Sequence, residues 1–253
     1  MRIALLVSGL LRREEEGYKH IEKMILEPNY LHQIDIYLDI WINKISRSEN
    51  TDEPKNSWRA NRRSSLSFKD QHDVQKIFNL YKPFAMNIED DSDCLLFKEL
   101  AEKIKNPRTD RTYPYGAFYS QFFKIYSANR MRVAREKVLG IKYDACIRMR
   151  DDIILPKKIN IENFELDDKK LYVENEGYPL NYKKYGWMSD KFVIASPKAY
   201  NEYASFVLGI KRMNDFLHDK TDTTPEIYMK NWVDFRKLQV IKDDRIGKIK
   251  FYI

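Results

Sequence analysis

The chain has 253 residues, of which 43% are hydrophobic, and a formal net charge of +7. A chain of this length can bury one substantial core, and its hydrophobic content excludes a wholly disordered protein. The positive charge favours an anionic partner such as a nucleotide, a nucleic acid or a membrane surface, without choosing among them.

The two cysteines, Cys94 and Cys146, form no CxxC motif and lie in no Cys/His cluster. This pattern predicts a reducing compartment and no structural zinc. The first apolar run, residues 3–7, is too short for a signal-peptide core, and no run reaches the roughly 18 apolar residues of a membrane span. We therefore expect a cytoplasmic protein without a transmembrane segment.

Residues 2–7 form a continuous apolar run that is typical of a buried parallel strand. Ser8 and Gly9 interrupt the run, and Ser8 can cap a helix that begins near Leu10. Gly9 allows a ligand or another backbone to approach closely, and Arg12 follows within the first helical turn. The segment thus predicts a strand, turn and helix that could bind an anion, with a plain turn as the alternative.

Residues 34–41 alternate apolar and acidic side chains as far as Trp41, which predicts a second strand. Asp39 and Trp41 near its end could contact a base or a ribose. The alternative is a half-exposed strand with a tryptophan in the core.

A polar loop then covers residues 46–67, and it could be either disordered or a lid over a site. After a short helix over 70–80 and a strand over 81–88, residues 117–139 predict the longest helix. Its aromatic and aliphatic stripe faces the core, basic side chains including Lys124 and Arg132 cover the outside, and Gly140 ends it. This helix could hold Tyr119, Ser120 or Gln121 at the rim of a pocket.

The segment 143–152 is the centre of the prediction, because one strand face is apolar and the other is charged. Arg148, Arg150 and Asp152 follow one another at intervals of two residues. Burying them costs free energy unless they pair or meet a charged ligand. Two interpretations remain open: an internal Arg–Asp salt bridge, or a site for a polyanion with a divalent metal.

The second half of the chain predicts a strand over 171–173, an aromatic loop over 174–189 and a strand over 190–197. A flexible aromatic loop that ends on Asp190 is typical of the rim of a sugar-binding site with a positioned catalytic base. An ordinary loop with a capping Asp is equally compatible with this pattern. Pro225 and Glu226 open a later helix.

Six short motifs occur in one order along the chain: Ser8-Gly9-x-x-Arg12, residues 35–41, residues 119–126, Tyr143-Asp144-x-x-Ile147-Arg148-x-Arg150-x-Asp152, Ser189-Asp190-x-Phe192-x-x-Ala195-Ser196, and Pro225-Glu226. This ordered combination resembles one known family, the WavE-like glycosyltransferases of surface-polysaccharide gene clusters, which have relatives in large viruses.

The resemblance implies a single GT-A-like α/β domain over residues 1–253, with three α/β/α layers and a mostly parallel central sheet. Residues 1–155 would bind the nucleotide-sugar and residues 156–253 would lie on the acceptor side. The implied reaction transfers a sugar from a UDP-, GDP- or TDP-linked donor to a glycan acceptor.

In such folds Mn²⁺ or Mg²⁺ joins a DxD motif to the donor diphosphate. Here Arg150 replaces the first acid, which leaves Asp152 as the implied metal ligand and Asp151 as a second. A hard divalent ion prefers carboxylate and phosphate oxygens and stabilises charge on the leaving diphosphate. Arg148 or Arg150 could take over part of that work, because guanidinium groups bind phosphate bidentately.

The resemblance also implies roles for the remaining site residues. An inverting enzyme needs a carboxylate base, for which Asp190 is the first candidate and Glu226 the second. The residues expected to bind the donor are Ser8, Gly9, Arg12, Asp39, Trp41, Gln121, Arg148 and Arg150.

Two other classes of function stay open. Basic charge, aromatic residues and paired acids also suit a metal-dependent protein that binds or processes nucleic acid. The positive charge is scattered along the chain, however, so no nucleic acid partner is expected. The third possibility is a catalytically silent module that binds nucleotide-sugars.

Overall fold

The computed structural model describes residues 1–42, 74–90, 115–175, 188–217 and 225–251. Within these residues seven strands form one sheet in the order β3-β2-β1-β4-β7-β6-β8. The strands of this sheet are β1 Arg2–Leu10, β2 Gln33–Ile42, β3 Ala85–Asp90, β4 Ala145–Met149, β6 Lys170–Glu174, β7 Phe192–Ala195 and β8 Gln239–Asp243. Strands β5 Ile153–Ile154 and β9 Lys250–Phe251 pair with each other in a small second sheet.

The large sheet is mostly parallel, as predicted. Strand β1 pairs in parallel with β2 on one side and with β4 on the other, and β2 pairs in parallel with β3. Strand β7 runs antiparallel to both β4 and β6, while β6 and β8 are parallel. Strands from both predicted halves of the chain therefore share one sheet.

Helices cover both faces of the sheet. They are α1 Glu14–Ile21, α2 Val74–Tyr81, α3 Tyr115–Leu139, α4 Pro197–Ala204, α5 Phe206–Leu217 and α6 Pro225–Phe235. Alternate side chains of β1 point to opposite faces, so Ala4 and Leu6 pack with α3 to α6, whereas Leu5 and Val7 pack with α1 and α2. This alternation produces the three α/β/α layers that the sequence predicts.

Some element boundaries differ from the prediction. Strand β1 continues through Ser8 to Leu10, so Ser8 lies inside a strand and does not cap a helix. Helix α1 begins only at Glu14. Its N-cap residue is Arg13, whose side chain forms no capping hydrogen bond. The end of the long helix agrees with the prediction, because Gly140 follows it with a φ of +62°, a backbone conformation that favours glycine.

Several predictions fall outside the described part of the chain. These are the loop over 46–67, most of the aromatic loop over 174–189, and the side chains of Tyr119 and Ser120.

Among the described residues, no helix combines the length and the apolar composition that a membrane crossing requires.

Candidate functional site

The carboxyl ends of β1 and β4 lie side by side where the strand order changes direction. The chain runs from β1 to β2 and β3 on one side, and β4 lies on the other side of β1. In open α/β sheets, ligands bind in the crevice outside the strand ends at such a point. The segments that leave these two strands are residues 11–13 and residues 150–152.

Asp151 fixes these two segments to each other. Its Oδ2 atom accepts hydrogen bonds from the backbone amides of Arg12, at 2.6 Å, and Arg13, at 2.8 Å. Amides at the start of a helix have no helical partner, so a carboxylate at this position satisfies them and meets the positive end of the helix dipole. Asp151 therefore caps α1 from a distant part of the chain.

The pKa of the Asp151 carboxyl is nevertheless raised, to about 6. Burial is the largest cause, and the negative charge of Asp152 is the second. The two amide bonds and the charge of Arg12 oppose this rise without cancelling it.

Helix α1 also touches the backbone of the turn after β4. A Cβ atom placed on Gly17 would lie 2.6 Å from the carbonyl oxygen of Asp151. Only glycine permits this approach, because real Cβ atoms do not come so close to an oxygen. The first turn of α1 and the turn over residues 150–152 are thus packed directly against each other.

Asp152 lies between two guanidinium groups. Arg150 donates from Nε to Oδ1 at 2.8 Å and from Nη2 to Oδ2 at 2.7 Å. Arg12 donates from Nη1 to the same Oδ2 atom. Burial alone would raise the pKa of Asp152, but the charges and hydrogen bonds of the two arginines lower it to about 2. This is the internal salt bridge that the sequence left open, with Arg12 as an additional member.

The arginine side chains of this cluster are more exposed than the side chain of the acid. The side chains of Arg12 and Arg150 are 29% and 19% exposed, whereas that of Asp152 is 8% exposed. The accessible surface of this cluster therefore belongs more to the two arginines than to Asp152.

Asp190 lies at the edge of the same cluster. Strand β7 pairs Phe192 with Met149, which brings the residues before β7 beside the turn after β4. Burial lowers the pKa of Arg150 and is the largest effect, while the negative charge of Asp152 and its hydrogen bond raise this pKa. The negative charge of Asp190 also raises the pKa of Arg150, by a smaller amount. The Arg150 guanidinium also lies 5.1 Å from the ring centroid of Phe251 in β9.

Glu226, the second predicted base, occupies the first turn of α6. Its carbonyl oxygen accepts the amide of Met188 at 3.4 Å, two residues before Asp190. The two predicted bases thus belong to neighbouring segments. Their catalytic roles remain predictions.

Arg148 does not join Arg150, contrary to the predicted shared face. Strand β4 ends at Met149, so the alternation of side chains stops before Arg150. Arg148 points to the α3–α6 side, is fully buried, and donates from Nε to Ser8 Oγ at 3.3 Å and from Nη2 to the Ser8 carbonyl oxygen at 3.4 Å. It holds the end of β1, next to Gly9.

Asp39 and Trp41 form a second cluster on the α3 side of the sheet. Asp39 accepts a hydrogen bond from Lys124 Nζ at 2.6 Å and from Asn87 Nδ2 at 3.2 Å. The Lys124 ammonium also lies 4.0 Å from the ring centroid of Trp41 and pairs with Glu89. Burial raises the pKa of Asp39 although the charge of Lys124 opposes this.

Lys124 was expected on the outside of the long helix and is instead fully buried. Gln121 lies one turn before it, and its Nε2 atom is buried without a hydrogen-bond partner among the described residues. The helix thus contributes the buried cation of this cluster and, one turn earlier, a second buried polar group. The sequence contained a signal for the burial of Lys124, because Asp39 lies near the end of an alternating strand and a buried acid requires a cation.

The arrangement of the two acids after β4 does not fit the divalent metal that the resemblance implies. Both oxygens of Asp152 accept hydrogen bonds from guanidinium groups, and one oxygen of Asp151 accepts two backbone amides. The described residues contain no group of three or more acids, histidines or cysteines that could hold a metal ion. The metal-binding role of Asp151 and Asp152 remains a prediction, and these hydrogen bonds compete with it.

The chain matches no protein-family model and no curated protein. Among solved structures it is similar to the galactosyltransferase LgtC in complex with donor and acceptor sugar analogues, with a TM-score of 0.41 and 10% identity over 92% of this chain and 70% of that chain. It is also similar to mouse xyloside xylosyltransferase 1 in its apo form, with a TM-score of 0.42 and 9% identity over 96% of this chain and 86% of that chain. Both similarities are distant.

Proposed function

We propose that the protein is a glycosyltransferase that moves a sugar from a nucleoside-diphosphate donor to a glycan acceptor. The proposal rests on one observation: Arg12 and Arg150 both bind Asp152 beyond the carboxyl ends of β1 and β4. These strands flank the switch point of the sheet, where α/β folds bind their ligands. Guanidinium groups at that point suit an anionic ligand such as a phosphate, two oxygens of which can accept parallel N–H groups.

The diphosphate of the donor would bind against the accessible N–H groups of Arg12 and Arg150. Gly9 precedes this position with a φ of +127°, and a Cβ atom placed on it would have nothing within 4 Å among the residues that the structure describes. A ligand can therefore approach the backbone at the end of β1. Ser8 and Arg148, which were predicted to bind the donor directly, would act by holding this backbone in place.

The base and ribose would lie farther along the same edge, near Asp39, Trp41 and Gln121. Strand pairing places Ser8 beside Asp39 and Leu10 beside Trp41, so these groups are one strand away from the arginines. Lys124 neutralises Asp39 and fixes its position. The amide of Gln121 retains hydrogen-bonding capacity for a base or a ribose hydroxyl.

Transfer breaks the bond between the sugar and the diphosphate and forms a bond to an acceptor hydroxyl, which loses its proton. Asp190, beside Arg150, would accept this proton if the reaction inverts the sugar, and Glu226 is the second candidate. The arginines would stabilise the negative charge that grows on the leaving diphosphate. No step in this scheme passes through a metal ion.

The proposal is tested by incubating the purified chain with UDP-, GDP- and TDP-sugars and measuring release of the nucleoside diphosphate with and without glycan acceptors. We expect one donor series to raise the Tm and to be turned over. Asp190→Asn should lower turnover far more than donor affinity, while Asp168→Asn, an exposed acid in the loop before β6, should change neither.

Two outcomes would favour the other classes of function. Stabilisation by DNA or RNA, and by none of the nucleotides, would indicate a nucleic-acid protein. Donor binding without hydrolysis or transfer would indicate a silent binding module.

A cytoplasmic location and a role in polysaccharide biosynthesis remain predictions.

A further inference from the structure

We propose that Arg12 and Arg150 bind the donor diphosphate without a divalent metal, so that these two side chains do the work of a metal ion in this protein. This inference rests on the proposed function, because it concerns the same diphosphate. It goes beyond that proposal in stating that binding of the diphosphate needs no divalent metal. Four features of the site support it: the acids already accept hydrogen bonds, the arginines have N–H donors that no described residue binds, a metal would meet repulsion, and the arginines are held in position.

The acids that a metal would need already have partners. Each oxygen of Asp152 accepts at least one N–H group of Arg150, and Oδ2 also accepts one from Arg12. Asp151 caps α1 through the amides of Arg12 and Arg13. To coordinate a metal through Asp152, the protein would have to break the salt bridge, and a metal on Asp151 Oδ2 would compete with the amides of Arg12 and Arg13.

The arginines retain capacity for an anion. A guanidinium group carries five N–H donors. Among the residues that the structure describes, Arg150 uses two of them, both on Asp152, which leaves three. On the same count, Arg12 uses one side-chain donor on Asp152, which leaves four. Both side chains are more exposed than that of Asp152, so a ligand has better access to the arginines than to the acid.

A metal ion at this position would also meet like charge. A dication bound to Asp152 would lie within a few ångströms of two guanidinium groups that hydrogen-bond to the same carboxylate. Like charges at this separation repel strongly in a partly buried site. A diphosphate carries the opposite charge, and it can bind to the arginines while Asp152 stays between them.

Contacts behind the two arginines hold them in position. The backbone amide of Arg12 is fixed by Asp151, which in turn is packed against Gly17 of α1. The Arg150 guanidinium lies over the ring of Phe251. Groups that are ordered before the ligand arrives lose less conformational entropy on binding, so this arrangement favours anion binding by the arginines.

The experiment measures binding of UDP, GDP and TDP to the EDTA-treated, desalted protein by calorimetry and thermal shift, once in EDTA and once in MnCl₂. We expect at least one nucleoside diphosphate to bind with the same Kd in both buffers. Arg150→Met and Arg12→Met should each weaken this binding by about tenfold or more, because each removes charge-assisted hydrogen bonds to phosphate. Arg150→Lys keeps the charge and should give an intermediate loss, which preserves the test if the Met variant does not fold.

Arg245→Met is the matched control. Arg245 also pairs with an aspartate two residues away, Asp243, and its guanidinium lies 4.4 Å from the ring centroid of Phe164. This pair is at the end of β8, away from the switch point, so its loss should leave the Kd unchanged.

Two results would overturn the inference. One is a Kd that tightens tenfold or more in MnCl₂. The other is stoichiometric binding of Mn²⁺ to the free protein, followed by electron paramagnetic resonance, that Asp152→Asn abolishes. Either result would leave the proposed transferase function standing. Failure of all three nucleoside diphosphates to bind in both buffers would instead remove the proposed function and this inference together.

Discussion

The substitution Asp152→Asn tests the salt bridge at the centre of the site through stability. Asp152 is almost completely buried and stands between Arg12 and Arg150. Asparagine keeps one oxygen as an acceptor. Its amide group, however, carries no charge and presents N–H donors to a guanidinium that has only donors. The variant therefore loses the charge compensation of both arginines while it keeps the size of the side chain.

The magnitude follows from the pKa of Asp152, which falls from an ordinary value of 3.8 to about 2 in the folded protein. A shift of roughly 2 pH units corresponds to about 2 to 3 kcal/mol of stability at neutral pH. Removal of the charge also relieves repulsion on Asp151, which offsets part of the loss. We therefore expect the free energy of unfolding to fall by about 2 kcal/mol, less than the roughly 3–5 kcal/mol of a broken isolated pair.

The pH dependence of this loss has a definite sign. A carboxyl whose pKa is lowered by folding stabilises the protein above its unfolded pKa, and this contribution disappears as the pH falls through the folded pKa. With values of 3.8 and about 2, the contribution at pH 3 is about half of that at pH 7. Urea unfolding of the wild type and of Asp152→Asn at these two pH values measures the difference directly.

Asp243→Asn provides the comparison at the end of β8. Its partner Arg245 is 46% exposed, so solvent screens the pair and the expected loss is below about 1 kcal/mol. Equal losses for the two variants would refute the reasoning. So would a loss for Asp152→Asn that is the same at pH 3 and pH 7.

Three further substitutions or measurements test the packing around the site. Gly17→Ala would ordinarily stabilise a helix by about 1 kcal/mol, but here the added Cβ meets the Asp151 carbonyl, so urea unfolding should show a net loss of about 1–3 kcal/mol. Lys124→Met leaves the buried charge of Asp39 without its cation and should cost about 3–5 kcal/mol, and addition of Asp39→Asn should recover part of this loss. Burial raises the pKa of the Cys146 thiol to about 12, so iodoacetamide at pH 8 should modify this residue only in denaturant, as followed by peptide mapping.

Local patterns predicted several strands and the long helix because the sheet is buried on both faces, whereas the mostly parallel, three-layer arrangement was implied by the resemblance to a known family. Continuous or alternating apolar runs located β1, β2, β4 and β7, and the stripe of the long helix located α3. The extent of β1 was wrong by three residues. Ser8 and Gly9 usually interrupt strands, but pairing with Asp39 and Ile40 of β2 keeps them in the sheet.

The polar residues of α3 show why periodicity fails for buried charges. Lys124 and Arg132 belong to the basic residues expected on the outside of the helix, and both are fully buried. Lys124 pairs with Asp39, which is 85 positions away in the sequence, and Arg132 bonds to Asn201, which is 69 positions away. A helical period assigns charged residues to solvent because an unpaired charge is costly to bury, and it contains no information about a distant partner.

The same limit explains why the sequence left two interpretations open for the acids that follow β4. Whether a carboxylate can bind a metal depends on which donors already reach it, and here the decisive donors come from the loop between β1 and α1, about 140 positions earlier. The backbone amides of Arg12 and Arg13 before α1 need an acceptor, so Oδ2 of Asp151 is engaged as soon as the helix docks against the turn. Docking also brings the side chain of Arg12 to Asp152. Gly17 allows α1 to pack against this turn. The packing therefore engages the two acids with hydrogen-bond donors and adds the guanidinium of Arg12 to the site.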